Sequence, residues 1–386
     1  MATDRDTQIL PMSRRGFLQG MLAVSAVGSP LLTGMLSGCS HAPLLPGTLL
    51  SACDDTKGNH YVAALAPDGN LAFQIPVPLR AHDSCATPDR SRALFFARRP
   101  GNQIYVVDLH ERRLLQTLDA APGRHFYGHG VISNDGQWLF ATEQVYETGQ
   151  GIIGVYRLDH PIRRETEFSS HGMDPHQLKW TSDNETLVIA NGGIRTHPAQ
   201  NRENLNPDTM QPSLTYVRVR DGALLESQAP PNHQMSLHHL DISQQDQVVV
   251  GVQHQGALTD EVALVGSHKR GNDMQWWMAD EITQLRMQQY TASVAVDAQG
   301  GGAVVSCPRG NGIAVWNMAS GELVRMLDIT DAAGVQGQPG AQGWVGTNGV
   351  GALVRIDVGT AAKNKGPRLR TLQEYPLRWD NHATLI

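Results

Sequence analysis

The chain is poor in the features that mark several large protein classes. It has only 4 cysteines in 386 residues, so it is not a disulfide scaffold. No C-x-x-C-H is present, which excludes covalently attached c-type haem. Charged residues make up 18% and the net charge is −6, so nothing suggests a nucleic-acid partner, which usually demands a basic face. Aromatics are 6%, and no apolar run of membrane-spanning length follows the N-terminal forty residues, so the mature chain is not expected to span a bilayer with a helix. There is no H-E-x-x-H, no phosphate-cradling glycine loop and no Ser-His-Asp order, which lowers the hydrolase and nucleotide-binding readings.

What is abundant is turn chemistry, with 39 Gly and 21 Pro, and histidine, with 16. Short runs rich in Val, Ile, Leu, Phe and Tyr follow one another from residue 47 onward, broken by Gly, Pro, Asn and Asp. No amphipathic helix is expected after the leader. The runs repeat: a histidine opens an apolar strand, an Asp-containing turn follows, and a second apolar strand comes after it. His82 precedes Asp89 by seven positions, as His176 precedes Asp183 and His239 precedes Asp246; His129 precedes Asp135 by six. His82, His129 and His176 are spaced 47 residues apart. Four strands and their turns fill about 40–50 residues, the length of one β-propeller blade.

This predicts an all-β fold, a seven-bladed β-propeller, as a single domain over residues 47–386. Residues 49–53, 61–66 and 71–75 supply three strands, one short of a blade. The C-terminal Trp379-Asp380-Asn381-His382-Ala383-Thr384-Leu385-Ile386 supplies one more. Pairing of the N- and C-terminal strands would close the ring and leave only short, protected edges.

The N-terminus reads as an export signal. Ser13-Arg14-Arg15-Gly16-Phe17-Leu18 is a twin-arginine pattern centred on Arg14 and Arg15, and an apolar, small-residue stretch follows over 20–32. It ends in Leu36-Ser37-Gly38-Cys39, which has the form of a lipoprotein processing box with Cys39 as the lipidated residue. Residues 1–39 are therefore expected to be a Tat/lipoprotein signal and 40–46 a tether. The expected location is periplasmic, anchored to a membrane by acyl chains. Ser40 after the cysteine favours the outer membrane over the inner.

Equivalent places in successive blades face one another across a propeller's channel. His82, His129, His176, His239 and His382 are therefore expected to form a partial ring at one channel mouth. Converging imidazoles are the usual ligands of transition metals, here iron or copper, and if protonated they could grip an anion. They could also be structural pieces that bond neighbouring blades. Asp83, Arg124, His125, Glu143 and Asp174 are placed near the same face. Residues 192–212 form an insertion too long for a blade turn, and long ordered loops tend to carry function. The candidate ligand-binding residues are Arg124, His125, Asn191, Arg195 and His197, while the insertion could equally be a plug over the channel.

Several stretches together carry a family resemblance. They are Tyr127-Gly128-His129-Gly130, Asp174-Pro175-His176-Gln177-Leu178, Ala190-Asn191-Gly192-Gly193-Ile194-Arg195-Thr196-His197-Pro198, Asn204-Leu205 with Asp208-Thr209-Met210-Gln211-Pro212-Ser213-Leu214, and His238-His239-Leu240. The chain resembles an exported bacterial family, domain of unknown function 1513, over nearly all of its mature length. That resemblance implies a cell-envelope propeller whose genes often lie beside imelysin-type iron-uptake proteins, which become the expected partners. It carries no established activity and no catalytic residues. The reading favoured by the sequence is a binding protein accessory to iron acquisition rather than an enzyme. Its rivals are an envelope metalloenzyme, an oxidoreductase or lyase with a His-ligated metal, and a scaffold for a partner protein.

Overall fold

The computed structural model describes residues 42–386, except 100, 201–202, 298, 339–342 and 359–365. Arg14, Arg15 and Cys39 lie outside the described residues. Residues 42–46 precede the first strand, and the carbonyl of Ala42 accepts a hydrogen bond from Arg112 at 2.9 Å.

Seven four-stranded antiparallel sheets form the blades. Blade 2 is Ala81–Ala86, Arg92–Ala97, Gln103–Asp108 and Arg113–Asp119, in order from the axis outward. Blade 3 runs from Arg124–Ile132 to Arg163–Ser169, blade 4 from Pro175–Trp180 to Ala223–Gln228, and blade 5 from Met235–Ile242 to Gln275–Trp277. Blade 6 runs from Val294–Val296 to Leu323–Asp328, and blade 7 from Ala332–Gly337 to Arg368–Glu374. Blade 1 is composite: its innermost strand, Leu377–Leu385, comes from the C-terminus and pairs with Leu49–Asp55, followed outward by His60–Leu65 and Leu71–Val77. The chain's two ends thus close the ring, as the sequence predicts.

Burial explains the composition of each strand. The middle strands of a blade pack on neighbouring blades with both faces, so they read as unbroken apolar runs rather than alternating ones. All seven residues of Val248–His254 are buried, as are all six of Thr186–Asn191. Outermost strands face water and are polar: Arg368–Glu374 has no buried residue. Between blades the gaps are filled by large side chains, among them Trp316, Trp344 and Trp379, each at most 1% exposed. Burying one such side chain stabilises by roughly 1.5–3 kcal/mol.

The turn aspartates have a local role. Asp89 accepts hydrogen bonds from the Thr87 hydroxyl and the Ser91 N–H, and Asp183 from the Thr181 hydroxyl and the N–H groups of Glu185 and Thr186. Asp135 does the same with Ser133 and Gln137. A carboxylate two residues after a Ser or Thr satisfies the turn's donors and closes the hairpin between the first and second strands.

Among the described residues the fold departs from pure β at one short α-helix, Glu281–Arg286, between blades 5 and 6, capped by Asp280 accepting from the Thr283 N–H. Among its described residues the insertion in blade 4 carries two 3-10 turns, Pro198–Gln200 and Pro207–Thr209.

Candidate metal centre in the propeller channel

The five ring histidines all lie on innermost strands, and each sits in or beside a β-bulge. On Ala81–Ala86 the register passes from Ala81 opposite Ala97 to Ser84 opposite Phe95, so His82 and Asp83 share one partner position. On Arg124–Ile132 it jumps from Phe126 opposite Glu143 to Gly130 opposite Ala141, releasing Tyr127, Gly128 and His129. His176 and Gln177 are the bulged pair in blade 4, His238 is the extra residue in blade 5, and Asp380–His382 stand opposite Ala52 alone in blade 1. A bulge breaks the two-residue alternation of a strand and re-aims its side chains. Consecutive polar residues therefore both reach the axis.

There the imidazoles meet. Ring centroids lie 4.5 Å apart for His82 and His382, 4.7 Å for His129 and His382, and 4.7 Å for His239 and His382. One nitrogen from each of His82, His129, His239 and His382 lies within 4.8 Å of the others. His176 packs beside them, 4.9 Å from His129 and 4.8 Å from His239. All five are buried. The widest spacing exceeds the roughly 3.3 Å between donors of a tetrahedral ion with 2.0–2.1 Å bonds, so small side-chain rotations would be needed to grip one.

Two carboxylates fix the rings. His82 Nδ1 lies 2.6 Å from Asp380 Oδ1, and His129 Nδ1 lies 2.8 Å from Asp83 Oδ2. Burial tends to raise both carboxyl pKa values, but the neighbouring histidines, joined at Asp380 by Arg98 and Arg80, hold them below the usual range. An ionised carboxylate only accepts, so Nδ1 is the donor in each pair and Nε2 is the nitrogen left to face the axis. His129 Nε2, His382 Nε2 and both nitrogens of His239 are buried with no hydrogen-bond partner. Orphaned polar atoms of this kind cost about 1–3 kcal/mol each if left dry.

Burial, assisted by the other cationic groups, pushes the pKa of His82 down to about 4 and those of His176, His239 and His382 well below the ordinary value. Neutral imidazoles ligate metals; they do not grip anions. The donor chemistry therefore fits a borderline transition ion held by nitrogen.

The cluster lies between two openings. One cavity, of about 270 Å³, is lined by His82, His176, His238 and His239 together with Arg98, Arg99 and Arg309. The insertion contributes Ile194, Thr196 and Asn204 to its wall. The other opening, about 680 Å³, is lined by Asp83, Lys179 and His382 among others.

The remaining sequence candidates occupy separate positions. Arg124 pairs with Glu167, and Glu143 is buried against Tyr156 and Arg164, so both serve an ion-pair network within blade 3. His125 stacks on Tyr146 at 5.2 Å and lies 4.9 Å from Tyr127. Asn191 donates to Ser213 and Thr215 on the next strand. Arg195 donates to the Glu147 carbonyl and lines a different groove, and His197 approaches Tyr146 at 5.7 Å. Sequence reasoning passed over Arg98, Arg99, His238 and Asp380 as site residues. The doublet His238-His239 and the Asp380-x-His382 spacing were the available signals. Cys53, Cys85 and Cys307 are free thiols, and burial raises the first and last to about 12.

Solved structures with this fold include Kuenenia stuttgartiensis hydrazine synthase, with a TM-score of 0.61 at 12% identity, covering 82% of this chain and 96% of that one. The Cps50 (Swd1) β-propeller domain of Myceliophteria thermophila gives 0.55 at 12%, covering 78% and 90%. U3-55K gives 0.54 at 14%, covering 77% and 82%. At these identities the likeness is one of fold. No curated protein matches the chain. A sequence profile matches residues 75–386, and the chain therefore belongs to the family described as protein of unknown function DUF1513.

Proposed function

We propose that this propeller binds a transition-metal ion, copper or iron, through His82, His129, His239 and His382. The observation that carries the reading is the convergence of four buried imidazoles within 4.8 Å of one another, two of them oriented by Asp380 and Asp83. Carboxylate-oriented histidine is the usual outer arrangement of a metal site. Nitrogen-only donors favour copper along the general affinity order, and iron is also accepted by imidazole. The twin-arginine pattern and the processing box that ends at Cys39 support a cell-envelope location. The family resemblance supports an accessory role in iron acquisition.

Elemental analysis of the natively exported protein, alongside His129→Ala and His382→Ala, tests the reading. Histidine-dependent copper or iron supports it; equal metal content in all three chains removes it.

The cavity beside the cluster favours a second reading, an envelope metalloenzyme. A space of about 270 Å³ reaching His82 and His239, with Arg98, Arg99 and Arg309 in its wall, suits a small anionic substrate. Azide added to the metal-loaded protein distinguishes the two: a changed metal spectrum means an open coordination position, as catalytic sites keep.

A further inference from the structure

His176 lines the same channel as the four converging histidines, but its own closest ring contact is elsewhere. It stacks on His238 with centroids 4.2 Å apart and planes inclined by 26°. Asp174, two residues earlier on the same chain segment, faces both: its Oδ2 is 3.6 Å from His238 Nε2 and its Oδ1 is 3.9 Å from His176 Nδ1. These side chains are buried, with Asp174 fully so. His176 Nδ1, both nitrogens of His238 and Asp174 Oδ2 have no hydrogen-bond partner.

Four orphaned polar atoms in one buried corner are rare in native proteins. The spacing is also informative. Direct N–H···O bonds would bring donor and acceptor to 2.7–3.2 Å. Donors that flank a metal at about 2.0–2.1 Å stand roughly 3–4 Å apart. We propose that His176, His238 and Asp174 form a second metal position beside the four-histidine one, taking a divalent first-row transition ion. Two histidines and one carboxylate with further positions open suit iron(II) in particular.

The surroundings are built for such a site. Asp174 adopts a left-handed backbone conformation, φ 55°, which aspartate tolerates better than most residues. Gly192 leaves the room it needs, since a Cβ there would fall 2.3 Å from Asp174 Oδ2. That contact gives the Asn191-Gly192-Gly193 stretch a physical purpose. Arg99 approaches Asp174 Oδ1 and the Thr196 hydroxyl at 3.4 Å, tying the carboxylate to the insertion. His176 and His238 both face the 270 Å³ cavity, so an ion held there meets whatever enters.

This inference extends the proposed metal reading, and metal stoichiometry separates the two. The full-length exported protein is stripped, reloaded anaerobically with iron(II) or copper(II), desalted and analysed, together with His238→Ala, Asp174→Asn and His382→Ala. Asp174→Asn is nearly isosteric and keeps the result readable if His238→Ala does not fold. The expected result is about two ions per chain in the parent and about one in each variant. One ion in the parent, unchanged by His238→Ala and Asp174→Asn, overturns the second position and leaves the first standing. One ion lost in those two variants but kept in His382→Ala supports the second position and overturns the four-histidine reading. No bound ion in the parent overturns both.

Discussion

His82 Nδ1 sits 2.6 Å from Asp380 Oδ1, although the two residues are 298 positions apart in the chain. His82 belongs to the innermost strand of blade 2, and Asp380 to the C-terminal strand that completes blade 1. The same carboxylate accepts from Arg80 Nε at 2.6 Å and from Arg98 Nη1 at 2.9 Å. One fully buried side chain thus ties the ring-closing strand to blade 2 and orients a candidate metal ligand.

Asp380→Ala would leave Arg98 and Arg80 without their shared carboxylate and His82 without its anchor. Removing one partner of a buried ion pair costs about 3–5 kcal/mol. Losing an oriented outer partner typically weakens metal binding by roughly 10–100-fold. Denaturant titration and metal titration of the variant check the two effects separately.

The metal-stripped protein should lose stability as pH falls from neutrality. His82 has its pKa lowered in the fold to about 4, against 6.5 as the unperturbed value. Between these values the unfolded chain takes up a proton that the folded chain refuses, so stability falls as pH drops through that window. This one group contributes on the order of 3 kcal/mol, and its buried neighbours act in the same direction. Melting temperature of the apo-protein from pH 7 to pH 4 measures it; a flat profile contradicts the lowered pKa of buried His82.

Gly128 has φ +93°, and a Cβ placed there would come within 2.9 Å of His82 Cδ2. Gly128→Ala should therefore displace the imidazole and strain the backbone by about 1–3 kcal/mol. Reduced metal affinity with an otherwise unchanged circular dichroism spectrum is the expected result.

Deletion of residues 377–386 removes the innermost strand of blade 1 together with His382 and Asp380. It exposes the edge of Leu49–Asp55, and an open strand edge templates association. The truncated chain should unfold without a single cooperative transition and aggregate, as read by calorimetry and size-exclusion chromatography.

Metal should also stabilise the fold by mass action. At a free concentration one hundred times its Kd, a ligand specific for the folded state adds about 2.7 kcal/mol. Copper or iron should raise the melting temperature of the parent chain, and His129→Ala should blunt the rise.

The sequence alone determined the repeat and hence the ring. Strand–turn–strand spacing is local, because Thr87-x-Asp89, Ser133-x-Asp135 and Thr181-x-Asp183 close their own hairpins with short-range hydrogen bonds. Equal spacing then carries His82, His129 and His176 to equivalent places, and the shortfall of one strand at the N-terminus points to the C-terminal segment that supplies it. What only the tertiary structure decided is which polar neighbours reach the axis. That choice is made by bulges, where backbone pairing slips by a residue or more, and no side-chain pattern announces the slip. His238 and Asp380 therefore read as ordinary strand residues until the blades bring them, from distant parts of the chain, against His176 and His82. Their chemistry arises from burial and from contacts between blades, and neither exists before the ring has closed.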